Sequence, residues 1–321
     1  MSTANSTEHE LELRIEEIGE AADGVRRLRL VSPDGAELPA WTPGSHIDLH
    51  AGDLVRQYSL CGDPSDRHSW TVAVLREPES RGGSSYVHDK LAPADLVQVR
   101  GPRNHFALEP APRYRFIAGG IGITPLMPML AAADAAGAEW TLEYGGRSRS
   151  SMAFAEDLLA AYGDRVHLQP QDEVGLLPLE RLLADPRPGE LVYCCGPAPL
   201  LNAVEAACRA WPEGTLHVEH FSPKEFDDAT GGAFEIELAD SGRTLSVPAD
   251  RSILDVVRDA GLDPLTSCEE GTCGTCETGV LAGEVEHRDS ILSPAEQAAN
   301  DVMYICVSRA AAGCPRLVLE L

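Results

Sequence analysis

Residues 267–276 read SCEEGTCGTC, which sets three cysteines, Cys268, Cys273 and Cys276, at C-x4-C-x2-C among small and acidic residues. No other feature restricts the chain so tightly. Three thiols this close together serve a disulfide, a zinc ion or an iron–sulfur cluster, and each demands a different fold around it. The opening MSTANSTEHELELRIEE has neither the basic region nor the apolar stretch of a secretory signal, which predicts a cytoplasmic protein. Nine cysteines, an odd number in a reducing compartment, do not read as a disulfide framework. Zinc sites usually pair two C-x2-C knuckles, and a single one is present here. The plant-type [2Fe–2S] spacing is C-x4-C-x2-C followed by a distant fourth cysteine. Cys306, in the apolar segment VMYICVSRA, is the preferred fourth ligand; Cys314, in the turn-like AAAGCPRL, is its rival. Gly271 and Gly274 let the loop fold tightly, so that backbone N–H groups can face the sulfurs.

The rest of the composition narrows the setting. Of 321 residues, 43% are hydrophobic and 24% charged, a globular balance with room for two or three domains. No apolar run reaches the about eighteen residues of a membrane span. The formal net charge of −25 disfavours nucleic acid and anionic membranes and would suit a partner with a basic face. Residues 232–321 hold sixteen Asp and Glu against six Arg and no Lys.

The first hundred residues alternate short apolar–polar runs with Gly and Pro, as in GVRRLRLVSP, SHIDLHA and SWTVAVLRE. This predicts an antiparallel β-barrel. From YRFIAGGIGITPLMPML to ELVYCCGPAPLLNAVEAACRAW, strands alternate with helices, which implies a parallel sheet covered on both faces. FSPKEFDDATGGA, over residues 221–233, reads as a linker before a final α+β domain that carries the cysteine loop. The expected domains are residues 1–109, 110–225 and 226–321.

Two further segments suggest ligands. Gly119, Gly120 and Gly122 join a strand to a helix, where bare backbone and the helix N-terminus favour a pyrophosphate. The segment departs from G-x-G-x-x-G, and a plain strand–helix turn would read the same way. YCCGPAPLL, with Cys195 and Gly196, adds a second turn at the same sheet edge. In RQYSLCGDP, Arg56 could meet a phosphate, Tyr58 stack on a flat ring and Ser59 hydrogen-bond it. ESRGGSSYVHD could cradle that phosphate with Ser84 and Ser85, although a surface turn and a core tyrosine fit equally well.

Taken in order, RQYSLCGDP, RGGSSYVHD, GGIGITPLMPML, CCGPAPLL and SCEEGTCGTC…YIC resemble the phthalate dioxygenase reductase and vanillate demethylase reductase family, relatives of ferredoxin–NADP reductases with a ferredoxin fused behind. The resemblance covers nearly the whole chain. It implies FMN bound by Arg56, Gln57, Tyr58 and Ser59, with Val72, Ala73 and Val74 along the isoalloxazine and Gly82, Gly83 and Ser84 at the phosphate. NADH would lie across Gly119, Gly120, Gly122, Thr124 and Pro125 and across Cys195, Gly196 and Pro197. Its adenosine half would face Arg147, Ser148 and Asp172. Ser59, Thr124, Cys195 and Phe221 would stand closest to the reacting atoms, and Cys268, Cys273, Cys276 and Cys306 would ligate the [2Fe–2S] cluster. Arg147 and Arg149 could hold a 2′-phosphate, which leaves NADPH as the alternative reductant.

The implied function is an oxygenase reductase that takes electron pairs from NADH and releases them singly to a terminal oxygenase; a monomer is the default expectation, with the oligomeric state left open by the sequence. A Rieske-type partner is expected, with a cytochrome P450 partner or a ferredoxin-like redox sensor as alternatives. Glu269, Glu270 and Glu277, beside the cysteines, are expected to help dock the partner.

Overall fold

The computed structural model of the chain describes residues 9–78, 82–223 and 232–321. Most of the expected linker, residues 224–231, and the start of the expected phosphate turn, residues 79–81, lie outside them. The chain divides into two compact units, Met1–Glu219 and His220–Leu321.

The first unit opens with six strands: β1 (His9–Ala22), β2 (Val25–Val31), β3 (His46–Ala51), β4 (Leu54–Ser59), β5 (Ser69–Leu75) and β6 (Leu96–Arg103), with the short helix α1 (Gly83–Asp89) between β5 and β6. They form one antiparallel sheet in the order β4-β3-β6-β1-β2-β5. An isolated bridge between Leu60 and Val72 joins its two edges and curls it into a half-barrel. Alternation decides the inside. Leu13 and Ile15, Leu28 and Leu30, Ile47 and Leu49, Val72 and Val74, and Val97 and Val99 all point into one buried cluster, each such side chain contributing about 1.5–3 kcal/mol when fully buried.

A parallel sheet follows in the same unit: β7 (Arg113–Gly119), β8 (Glu139–Gly146), β9 (Val166–Pro170), β10 (Glu190–Cys195) and β11 (Leu216–Glu219), ordered β11-β10-β7-β8-β9. Its connecting helices are α2 (Ile123–Ala135), α3 (Ala155–Tyr162), α4 (Gln171–Val174), α5 (Leu179–Leu182) and α6 (Ala198–Ala207). The central strand β7 is apolar on both faces, with Phe116 in one buried cluster and Ile117 in another, as a doubly covered parallel sheet requires. Val25, Ala73 and Phe106 of the barrel region share a cluster with Phe116, Ile123 and Tyr144. Barrel and parallel sheet are thereby fastened through a common core.

The second unit is a five-stranded sheet, β13-β12-β18-β14-β16, built from β12 (Phe234–Leu238), β13 (Arg243–Val247), β14 (Glu277–Ala282), β16 (Val302–Tyr304) and β18 (Arg316–Leu319). A two-stranded ribbon of β15 (Val285–Glu286) and β17 (Arg309–Ala310) lies beside it. Helix α7 (Ile253–Asp259) starts at a reciprocal cap between Ser252 and Asp255, which satisfies two otherwise orphaned N–H groups. Its Ile253, Leu254 and Val257 pack with Ile236, Leu317 and Leu319. A second capped helix, α8 (Pro294–Ala299), precedes β16. The cysteine loop connects α7 to β14. Among the described residues no helix is long and apolar enough to cross a membrane.

On the sheet face opposite the barrel core, Asp48 and Arg103 form an almost fully buried ion pair, and the Gln57 amide donates to the same Asp48 oxygen at 2.7 Å. Removing one partner of a buried pair leaves the other charge uncompensated. Asp48→Ala is therefore expected to destabilise the first unit by about 3 kcal/mol or more, read as a lowered midpoint of chemical denaturation.

Candidate electron-transfer site

The nucleotide side of the site rests on two strand ends that leave no room for side chains. β7 and β10 are parallel neighbours with Ala118 in register with Cys195, so the turns beyond them meet. A Cβ on Gly122 would lie 2.3 Å from the Cys195 carbonyl oxygen, and one on Gly119 would lie 2.7 Å from Pro197 and 2.6 Å from Leu200. Only glycine permits this approach. It brings Gly119, Gly120, Gly122, Thr124 and Pro125 against Cys195, Gly196 and Pro197 at the carboxyl edge of the sheet, where α/β folds bind ligands. Thr124 is buried and its hydroxyl donates to the Ile121 carbonyl at 2.9 Å, so its proton serves the turn.

Farther along that edge, Arg147 and Ser148 follow β8, and the Asp172 N–H donates to the Arg147 carbonyl at 3.2 Å. These three expected adenosine contacts are thus neighbours. Arg149 lies 3.6 Å from Glu156 and 3.7 Å from Glu173, two carboxylates that offset its charge where a 2′-phosphate would need it.

One residue escaped the sequence reading. Glu219, the last residue of β11, places its carboxylate 3.9 Å from the sulfur of fully buried Cys195. Burial pushes its pKa from 4.5 up to about 8, so at neutral pH it is a carboxylic acid rather than a carboxylate. Burial, and next the neighbouring Glu219, also push the Cys195 thiol well above its usual value, which leaves it un-ionised. The only hint in the sequence was an acidic residue ending an apolar strand. Phe221, two residues further on, belongs to the second unit and is 44% exposed.

In the expected flavin segment, pairing of β3 with β4 sets Gln57 opposite Asp48 and Tyr58 opposite Ile47. Arg56 and Tyr58 therefore share one face, while Gln57 and Ser59 share the other. The Gln57 side-chain amide donates to Asp48. Arg56 lies across the start of α1, where a Cβ on Gly83 would meet its side chain at 2.5 Å. Gly82 is left-handed (φ 98°), and the Ser84 hydroxyl accepts from the Glu77 N–H at 3.1 Å. Val72 and Val74 point into the barrel core, whereas Ala73 lies in the cluster containing Ile123 and Cys195. Strand β5 and the turn Gly120–Gly122 approach within 8 Å, Cα to Cα. The flavin and nicotinamide segments of the sequence thus meet in space.

The four cysteines converge as two pairs. Cys268 hydrogen-bonds Cys273, and Cys276 hydrogen-bonds Cys306. Those contacts lower the pKa values of Cys268 and Cys276, while those of Cys273 and Cys306 are raised by the same pairing and by burial. The Glu270 and Thr272 amides donate to the Cys268 sulfur at 3.3 and 3.4 Å, and the Cys268 amide donates to the Cys273 sulfur at 3.4 Å. Among the described residues no three His, Cys, Asp or Glu converge on a single-ion position. Two sulfur pairs ringed by amides suit a dinuclear centre with two thiolates per iron. Cys306 lies in the turn just past β16 rather than in the strand itself. Its placement comes from the Ile305 amide donating to the Cys276 carbonyl at 3.4 Å. Cys314 is elsewhere, accepting from the Glu284 N–H at 3.3 Å. Gly271 is left-handed (φ 71°), and a Cβ there would meet Val307 at 2.6 Å. Of the three acidic residues beside the loop, Glu269 pairs with Arg258 at 2.7 Å and Glu277 accepts from the Tyr304 hydroxyl at 3.0 Å. Arg258 therefore offsets one of the charges beside the loop, that of Glu269.

Residues 236–311 match the family model of a 2Fe-2S iron–sulfur cluster binding domain. The chain is 45% identical over 309 residues to phenoxybenzoate dioxygenase subunit beta of Ectopseudomonas oleovorans, covering 95% of this chain and 96% of that protein. Its structure superposes on phthalate dioxygenase reductase, a modular structure for electron transfer from pyridine nucleotides to [2Fe–2S], with a TM-score of 0.71 and 34% identity over 97% and 98% of the two chains. It also superposes on an intact type IV self-sufficient cytochrome P450 monooxygenase with a TM-score of 0.92 and 46% identity. That match takes in 97% of this chain but 41% of the longer P450 protein.

A curled flavin-type barrel, a nucleotide-binding parallel sheet and a 2Fe-2S domain on one chain define an electron-transferring flavin iron–sulfur oxidoreductase. The chain belongs to the phthalate dioxygenase reductase and vanillate demethylase reductase family.

Cys306→Ser is expected to abolish the cluster's visible absorption and the bound iron and sulfide, whereas Cys314→Ser keeps both; metal analysis and spectra of the two variants decide the fourth ligand. Between about pH 4.5 and 8 the folded protein holds a proton on Glu219 that the unfolded chain has released. That contribution to stability is full below pH 4.5, falls through the window and is gone above about pH 8. Glu219→Gln is expected to flatten that share of the fall when melting temperature is followed from pH 5 to 9.

Proposed function

We propose that this protein is the reductase component of a multicomponent oxygenase, binding NADH, FMN and a [2Fe–2S] cluster and delivering electrons singly to a Rieske-type terminal oxygenase in the cytoplasm. Residues 1–109, 110–225 and 226–321 serve as its flavin, nucleotide and cluster modules, and it acts as a monomer. The observation that carries this reading is the meeting of β5 with the glycine turn in one unit, on a chain that also holds two pairs of cysteine sulfurs. When bound, the cofactors supply hydride donation, conversion of an electron pair into single electrons, and one-electron release.

The chain's own residues bind, orient and tune. Arg56, Gly82, Gly83 and Ser84 hold the flavin phosphate, with Tyr58, Ser59 and the Val72, Ala73 and Val74 backbone along its ring. Gly119, Gly120, Gly122, Thr124 and Pro125, facing Cys195, Gly196 and Pro197, hold the dinucleotide, and Arg147, Ser148 and Asp172 its adenosine end. The family resemblance assigns Phe221 the part of an aromatic residue close to the flavin. Glu219 and Cys195, both neutral at pH 7, put no fixed charge beside the nicotinamide. Amides of Glu270 and Thr272 favour negative charge on the Cys268 sulfur, helping to set the potential. Carboxylates at Glu156 and Glu173 beside Arg149 support NADH over NADPH.

Full-length identity to a dioxygenase subunit supports the oxygenase role. The 46% identity to the self-sufficient P450 protein favours a second reading, delivery to a P450 haem. Anaerobic protein as isolated is expected to contain flavin, iron and sulfide, and stoichiometric NADH should bleach both chromophores. Product-coupled reoxidation by a purified Rieske oxygenase, but not by a P450, supports the first reading, and the converse supports the second. Absence of flavin and of acid-labile sulfide would sink both.

A further inference from the structure

Tyr144 takes no part in the electron path above, yet its hydroxyl occupies a singular place. It is the sixth residue of β8, in register with Ala118 of β7 and Leu168 of β9. Its ring is fully buried in the cluster containing Phe116, Ile123 and Met152. The phenol oxygen lies 3.1 Å from the Gly120 carbonyl oxygen and 3.1 Å from that of Ala153. A phenol has one hydrogen, so these two acceptors share it.

The two carbonyls belong to opposite ends of the proposed dinucleotide site. Gly120 lies in the glycine turn, whose neighbours Gly119 and Gly122 press on Cys195, Gly196 and Pro197. Ala153 closes the segment that begins at Arg147 and Ser148. Positive φ marks the backbone at or next to both positions. Gly120 has φ 54°, and Phe154, directly after Ala153, has φ 61°, which a bulky residue rarely adopts. Such a conformation persists where the surroundings over-determine it. Because the peptide is planar and trans, fixing a carbonyl also fixes the N–H of the next residue on the opposite side. The Gly120 carbonyl also accepts from the Ile123 N–H within the turn, and the phenol adds the contact that reaches outside it; with that carbonyl turned toward the phenol, the Ile121 N–H is turned away from it, as an anion-binding turn requires.

We propose that Tyr144 is a positioning residue for dinucleotide binding, its hydroxyl tying the glycine turn to the segment from Arg147 to Phe154 so that both ends of one NADH meet a single rigid surface. This rests on the nucleotide reading given under the proposed function. Tyr144 itself touches no ligand; it acts through the two carbonyls.

Two probes separate a coupling role from a merely structural one. ADP-ribose spans the glycine turn and the adenosine segment, whereas AMP reaches only the latter. In the full chain with its flavin and cluster, Tyr144→Phe is expected to weaken ADP-ribose binding about tenfold, the effect of losing the hydrogen bond that the two carbonyls share. AMP binding should stay within about twofold, and the KM for NADH should rise about as much as the ADP-ribose dissociation constant while kcat changes little. 4-Aminophenylalanine at 144, which keeps a donor, should restore the affinity. Should the Phe variant not fold, 4-fluorophenylalanine at 144 fills the hydroxyl's place without donating and repeats the measurement. Unchanged ADP-ribose affinity, or equal losses for ADP-ribose and AMP, overturns the proposal. If the wild-type chain binds neither ADP-ribose nor NADH, the nucleotide reading itself has failed, and the proposal with it.

Discussion

The backbone contact between Gly122 and the Cys195 carbonyl is the constraint on which the site depends. Two parallel strands, β7 and β10, run side by side, and the turns that leave them occupy the space where side chains would stand. Bare backbone at this edge lets amides face a ligand and lets the Cys195 sulfur sit fully buried beneath it. Beside that sulfur stands the Glu219 carboxyl, whose pKa burial pushes up to about 8. Packing thus sets electrostatics here, because burial disfavours the ionised form of a carboxyl.

The cluster loop follows a parallel logic in the second unit. Its path is forced by a left-handed Gly271 wedged against Val307 and by Glu269, also left-handed (φ 58°) and held by Arg258. Once the path is fixed, amide groups turn inward to the sulfurs and the sulfurs fall into pairs. A metal centre built this way needs few charged groups nearby, because backbone dipoles supply the compensation. The Arg258–Glu269 pair is half exposed and contributes little energy by itself; its effect is to orient the loop and reduce the charge it presents.

Much of the architecture was legible in the residues. Period-two alternation marked the six barrel strands, and apolar runs followed by glycine marked the ends of β7 and β10, because burial on one face or on both leaves different patterns. Other features were not legible. Nothing local to Gln57 says that its amide serves Asp48, nine residues earlier, since only pairing of β3 with β4 sets the two opposite. The same holds for Val72 and Val74, whose side chains enter the core because of which face of β5 the barrel closes over. Glu219 was missed because an acidic residue ending a strand is ordinarily solvated, and only the fold puts it against Cys195.

The sequence alone determined which chemistry is available: four cysteines at cluster spacing, glycines where strands meet helices, and an order of segments shared with a family of reductases. Those are matters of residue type and short-range spacing, which a linear chain states directly. Tertiary structure decided the pairing of the sulfurs, the neutral state of Glu219, the partners of Glu269 and Glu277, and the bridge from Tyr144 to two distant carbonyls. Each of these is a contact between side chains or turns that no local pattern of residues brings together. Its energy depends on burial and on atomic distance, and neither exists until the sheets have closed.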